Sequence, residues 1–167
     1  MTRAKPDVVF DAVVLVKSII SNRGTSAACI EAVRDDRATL HVSDAMVAEV
    51  VDVVGRPNMV RRFPHVTPSR IDRFREDVRQ LAIQHPPPHH VFDLPRDPKD
   101  EPYTDLASAV NATYLVTWND KHLTYLMRQT TPEGRDFCAR FPFVTILTPP
   151  DFLRRLDPPT EDAASPE

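Results

Sequence analysis

Residues 96–123 read RDPKDEPYTDLASAVNATYLVTWNDKHL, and this run decides the fold. Pro98 and Pro102 end whatever precedes them. A helix can start near Pro102, because the fixed φ of proline suits a first helical turn. Leu106, Ala107, Ala109 and Val110 give that helix an apolar stripe. The apolar run from Tyr114 to Thr117 follows with almost no connection, as in a βαβ unit. Polar clusters flank both elements: Asp97, Asp100, Glu101 and Asp105 around the helix start, Asn119 and Asp120 after the strand. In a parallel sheet two such clusters can meet at the carboxyl ends of the strands, the edge where open α/β sheets place their ligands.

The same alternation extends outward. Val8 to Phe10 reads as a short buried strand ended by Asp11, and the apolar run resumes at Ala12. An isolated buried carboxylate is very costly, so Asp11 must be exposed at a strand end or paired. Aspartate is also a good helix N-cap, which gives the residue an ordinary reading beside the functional one. Thr25 to Asp35 reads as a helix with Ala28, Cys29, Ala32 and Val33 on one face. Leu40 to Val42 is a second strand, and Ser43 caps a helix that Gly55 and Pro57 stop. Glu49 falls at the edge of that helix's apolar face. There it can reach over the sheet edge or serve as a plain rim glutamate.

Thr67-Pro68 opens a helix to about Gln84 that carries Arg70, Arg73, Arg75 and Arg79. With Arg61 and Arg62 this is the densest basic region. It can contact phosphates, or form a solvated face paired with Asp72, Glu76 and Asp77. Pro86 to Pro88 forms a stiff connector, and His89 to Phe92 is expected as the third strand. His85, His89 and His90 suggest a metal, but adjacent strand residues face opposite ways. After His122 the chain reads as helical to about Arg128. Phe143 to Leu147 is the last strand, and a short helix surrounds Phe152. Residues 7–156 form one α/β domain with a mostly parallel sheet. Residues 157–167 are rich in proline and acid and are expected to be a disordered tail.

Composition narrows the function classes. The chain has 167 residues, 3 Gly, 17 Pro and a formal charge of −3. No strong positive field exists to hold nucleic acid, so phosphates must meet a cation or a local basic patch. Cys29 and Cys138 match no CxxC pattern and read as free thiols of a reducing cytosol. No segment reaches the ~20 apolar residues of a membrane span, and the N-terminus lacks the apolar core of a signal peptide. Several carboxylates brought to one sheet edge repel each other unless protons or a divalent cation join them. Oxygen ligands suit Mg²⁺ or Mn²⁺, which can activate water and neutralise phosphate charge. Metal-assisted phosphodiester hydrolysis is the expected chemistry. A P-loop, a GxGxxG and a Ser-His-Asp spacing are all missing.

Three blocks carry a resemblance: VVFDAVVLV, SDAMVAEVVDVVGRP and RDPKDEPYTDLASAVNATYLVTWNDKHL. Together they resemble the motif blocks of PIN domains over roughly residues 7–155, most closely the PIN-family toxins of bacterial toxin–antitoxin pairs, relatives of the VapC-like ribonucleases. The late block is the most specific. The resemblance implies a three-layer α/β/α Rossmann-like sandwich, a carboxylate site for Mg²⁺ or Mn²⁺, and endoribonuclease activity restrained by a cognate antitoxin. It also implies a cytoplasmic protein and a homodimer. By position, Asp11, Glu49 and Asp100 match the first three acids and would hold the metal. Asn119 stands where many members have the fourth acid, and Asp120 follows one residue late. Asp97 and Asp105 read as supporting residues. Lys121, His122, Arg70 and Arg73 are candidate RNA contacts.

The chain departs from the family pattern twice. Asp11-Ala12-Val13 lacks the usual asparagine after the first acid, and Asn119 brings oxygen without charge. These departures support a second reading, a weak or inactive PIN-like module that binds RNA or a partner protein. A phosphatase with Asp11 as nucleophile would need a second aspartate two residues on, where Val13 stands.

Overall fold

The computed structural model describes residues 4–158. Residues 159–167, most of the expected tail, lie outside the described residues. Five strands form one parallel sheet: β1 (Asp7–Phe10), β2 (Thr39–Ser43), β3 (Ala82–His85), β4 (Tyr114–Val116) and β5 (Thr145–Leu147). Their order is β3-β2-β1-β4-β5. Helices α1 (Ala12–Ile20) and α2 (Thr25–Arg34) follow β1. Helices α3 (Asp44–Gly55), α4 (Pro57–Arg62) and α5 (Pro68–Leu81) follow β2. Helix α6 (Glu101–Ala109) precedes β4, α7 (Pro132–Arg140) precedes β5, and α8 (Pro149–Leu156) closes the order.

Side-chain alternation sorts the layers, because successive strand residues face opposite ways. Val8, Phe10, Leu40, Val42, Tyr114, Val116 and Leu147 point to one core, with α1, α2, α3, α5 and α8 against it. Val9, Leu115 and Ile146 point to the other, covered by α6, α7 and the chain around Leu123 to Leu126. The result is an α/β/α sandwich, as the resemblance implies, with the parallel sheet that the alternation of strands and helices predicts. Helix starts follow the expected chemistry. The side chains of Asp11, Ser43, Thr67, Thr131 and Thr148 accept bonds from N–H groups in the first turns of α1, α3, α5, α7 and α8. Cys29 and Cys138 are free thiols. Among the described residues, no helix is long and apolar enough to cross a membrane.

The third strand is a correction. Helix α5 ends at Leu81, and Ala82–His85, not His89–Phe92, joins the sheet beside β2, with Leu40 opposite Ala82 and Ser43 opposite His85. Pro86 to Pro88 explain the limit, since proline has no N–H to donate to a ladder. Residues 86–97 therefore run without regular structure and depend on side chains. Asp105, 4% exposed on α6, accepts from Val91 N–H at 3.0 Å and lies 3.0 Å from His90 Nδ1. Glu101 accepts from Leu94 N–H at 3.0 Å, while Phe92 and Leu94 fill the second core. Replacing Asp105 with alanine leaves the Val91 donor without its acceptor. We expect a loss of about 1–3 kcal/mol in denaturant unfolding, with faster proteolysis of 86–97; an unchanged midpoint would show that water replaces the carboxylate.

Two smaller differences complete the comparison. The stretch after His122 is a short 3-10 helix, Thr124–Arg128, and β5 begins at Thr145 rather than Phe143.

Candidate functional site

The strand order turns back at β1. The chain lays β2 and β3 on one side of it, then crosses to lay β4 and β5 on the other. In such sheets the ligand crevice lies at this switch, here outside the carboxyl ends of β1 and β4. Asp11 sits there, directly after β1. Its N–H donates to Val116 O at 3.0 Å, tying the two strand ends together.

Asp11 unites both readings of its position. Oδ1 caps α1 by accepting from Val14 N–H at 3.0 Å, and Oδ2 accepts from the Thr117 hydroxyl. The side chain is only 2% exposed. Burial pushes its carboxyl up from 3.8 to about 6, against the lowering effect of the Thr117 and Val14 bonds; the nearby Asp100 raises it further. Glu49 projects from α3 and accepts from the Tyr103 hydroxyl at 2.6 Å. Burial, then Glu49, raise the Tyr103 hydroxyl well above its ordinary value, with smaller contributions from Asp11 and Asp100. Asp100 closes the crevice at the start of α6. Burial and its neighbour Asp97 hold its carboxyl above the ordinary range, with a smaller push from Glu49.

Asp11, Glu49 and Asp100 thus share one field of negative charge. Neither Asp11 nor Asp100 has a lysine or arginine among the groups that shift it. Buried anions in this state favour a proton or a bound cation. The donor set, carboxylate oxygens, suits a hard divalent cation.

The fourth position is now specified. Asn119 Nδ2 donates to Asp100 Oδ2 at 2.9 Å, and Asn119 Oδ1 accepts from His122 N–H at 3.1 Å. The amide therefore orients Asp100 and cannot turn its oxygen toward it without facing the carboxylate. Asp120 points elsewhere. It is exposed, lies 2.9 Å from Arg128 Nη2 and bonds Thr124. The Thr124 hydroxyl and then Arg128 hold its carboxyl below the ordinary range. It lines a separate cavity with Arg128, Leu147 and Asp151.

Of the supporting acids, Asp97 caps the short turn before α6 through Lys99 N–H at 3.1 Å and lies 3.3 Å from His122 Nδ1. Asp105 belongs to the 86–97 segment instead. Lys121 is exposed, and its carbonyl accepts from Arg96 at 2.8 Å. Arg70 and Arg73 lie away from the acids. Arg70 donates to Ile19 O at 2.7 Å, at the far end of α1 from Asp11. Eight residues of helix separate those ends, about 12 Å. Both arginines line a cavity of about 500 Å³ between α1, α2 and α5 that includes none of the clustered acids. Elsewhere on α5, Arg75 and Arg79 pair with Asp72 and Glu76, as a solvated helix face does.

Sequence reasoning missed Thr117 and Tyr103, which hold Asp11 and Glu49. Both lie in quoted motif blocks, but a hydroxyl at a strand end or in a helix carries no signature of the carboxylate it will meet.

Among the described residues, two groups bring possible metal ligand atoms within 4.8 Å of one another: Asp97, Asp100 and His122, and His90, Asp93 and Glu101. Asp11 and Glu49 stand outside both, joined to the first only through Asp100. In the second group both ring nitrogens of His90 already meet carboxylates, Asp93 at 2.8 Å and Asp105 at 3.0 Å. Those contacts, Asp93 first, push the imidazole up to about 9. It serves as a latch for residues 86–97.

In the comparison with known families, the PIN domain family matches residues 7–121. No curated protein and no solved structure matches the chain.

Proposed function

This chain belongs to the PIN domain family, and on that premise we propose that it is a Mg²⁺- or Mn²⁺-dependent endoribonuclease, the toxin of a type II toxin–antitoxin pair of the VapC-like kind. One observation carries the proposal. Asp11, Glu49 and Asp100 come from three different elements to the topological switch, each held by its own partner, Thr117, Tyr103 and Asn119, and burial with nearby carboxylates raises Asp11 and Asp100.

In this reading Asp11, Glu49 and Asp100 hold the metal. A bound Mg²⁺ or Mn²⁺ supplies positive charge for the phosphodiester oxygens and makes nearby water more acidic. The protein's own groups fix the ligands. Thr117 and the Val14 N–H aim the two oxygens of Asp11, Tyr103 aims Glu49, and Asn119 aims Asp100. Such partners set ligand orientation and basicity. Lys121 and Arg96, close in sequence to Asn119 and Asp97 and joined by the Arg96 bond to the Lys121 carbonyl, can meet RNA phosphates and compensate a net charge of −3. A cognate antitoxin would mask the acidic crevice, and a homodimer in the cytoplasm is the assembly that the resemblance suggests.

A specific observation favours the second reading, a PIN-like binding module. Val13, 44% exposed beside Asp11, stands where the family commonly places asparagine. Incubation of the purified protein with single-stranded RNA separates the two. The nuclease reading expects cleavage with Mg²⁺ or Mn²⁺ and its loss with EDTA and in Asp100→Asn. RNA retention without cleavage, under any divalent metal, would establish the binding module instead. A neighbouring short reading frame encoding a DNA-binding fold with an extended tail would support the toxin assignment.

A further inference from the structure

The site contains an imidazole for which the carboxylate reading has no use. We propose that Asp97, Asp100 and His122 form a cation position of their own, sharing Asp100 with Asp11 and Glu49, whose nitrogen ligand makes it select Mn²⁺ over Mg²⁺. This deepens the metal-dependent reading and rests on it.

Three observations support the assignment. The ligand atoms of the three residues lie within 4.8 Å of one another. An octahedral ion with bonds of ~2.1 Å places adjacent ligands about 3.0 Å apart and opposite ones about 4.2 Å apart. The His122 Nδ1 to Asp97 Oδ2 separation of 3.3 Å falls in the adjacent range. Second, the side chains are reachable: His122 is 38% and Asp97 29% exposed. Third, Asn119 cannot serve. Its oxygen is held by His122 N–H and its amide nitrogen by Asp100. These two bonds place His122 and Asp100 side by side, so the residue that fails to provide a fourth ligand positions the one that can.

Metal preference follows from ligand type. Mg²⁺ prefers oxygen and gives up water reluctantly, whereas imidazole suits transition metals. A mixed Asp-Asp-His set therefore discriminates against Mg²⁺ in a way that Asp11, Glu49 and Asp100 alone would not.

The test is calorimetric titration of the full chain with MnCl₂ and with MgCl₂, joined to pulsed electron paramagnetic resonance of the Mn²⁺ complex. We expect Mn²⁺ to bind at least tenfold more tightly than Mg²⁺, with a ¹⁴N coupling from one directly bound imidazole. His122→Ala removes that coupling and the Mn²⁺ preference. His122→Asp binds both cations and closes the gap between them. If Mn²⁺ binds wild type without ¹⁴N coupling, or if His122→Ala keeps both affinities, the inference is overturned while Asp11, Glu49 and Asp100 still account for metal and cleavage. Absence of any binding to wild type would overturn the inference and the metal-dependent function together. The spectrum of wild type alone decides the matter if a variant fails to fold.

Discussion

Asp11→Asn is expected to lower RNA cleavage by more than about a hundredfold while making the metal-free protein more stable at neutral pH. The two effects oppose each other because the charge proposed to hold the metal also strains the fold. The Asp11 carboxyl moves from 3.8 to about 6 on folding, chiefly through burial. The folded state therefore holds the proton more tightly than the unfolded chain. As pH rises from about 4 to about 6, the unfolded carboxyl ionises first and stability falls; above that window the loss is complete. A move of this size corresponds to roughly 3 kcal/mol. Asparagine keeps an oxygen for Val14 N–H, and the Thr117 hydroxyl can rotate to accept from the new amide. Denaturant unfolding at pH 4 and pH 7.5 measures the difference. Wild type should lose stability between these points relative to Asp11→Asn. Parallel curves with active Asp11→Asn would remove Asp11 from the site.

Divalent metal is expected to reverse that penalty. At a concentration of 100 times its dissociation constant, a ligand bound only by the folded state contributes about 2.7 kcal/mol. For a domain of this size the melting temperature should rise by roughly 5–10 °C. The effect should appear at pH 7.5 and fade below about pH 5, where Asp11, raised to about 6, holds its proton. It should be weaker in Asp11→Asn, which keeps only the position of Asp97, Asp100 and His122. A melting temperature indifferent to Mg²⁺ and Mn²⁺ at pH 7.5 would mean that the acids are not a metal site.

The fold was largely legible because strands and helices alternate with different periods, and each short apolar run ends at a cap or a proline. Asp11 and Glu49 stand out because each interrupts or borders an apolar run, whereas Asp100, flanked by charge and proline, stands out only through the resemblance of its block. The third strand could not be located. Leu81, Ala82 and Ile83 fit a helix end as well as a strand, and only pairing with β2 decides between them. Side-chain direction was equally hidden. Asp120 and Asn119 are neighbours in sequence, yet one turns to Arg128 and the other to Asp100. The place of His122 beside Asp97 was hidden as well, because the turn that carries it depends on the Asn119 amide. The arginines of α5 read as a solvated face or as phosphate contacts, and charge density alone does not reveal that Arg70 caps the end of α1.

The central claim is that the crevice between β1 and β4 is a divalent metal site. Crystals soaked in MnCl₂ and measured near the manganese absorption edge test it most directly. An anomalous peak within bonding distance of Asp100 and in contact with Asp11 or Glu49 is the predicted result. A fully soaked crystal with no peak at that crevice, or with peaks only at the His90 latch, would contradict it.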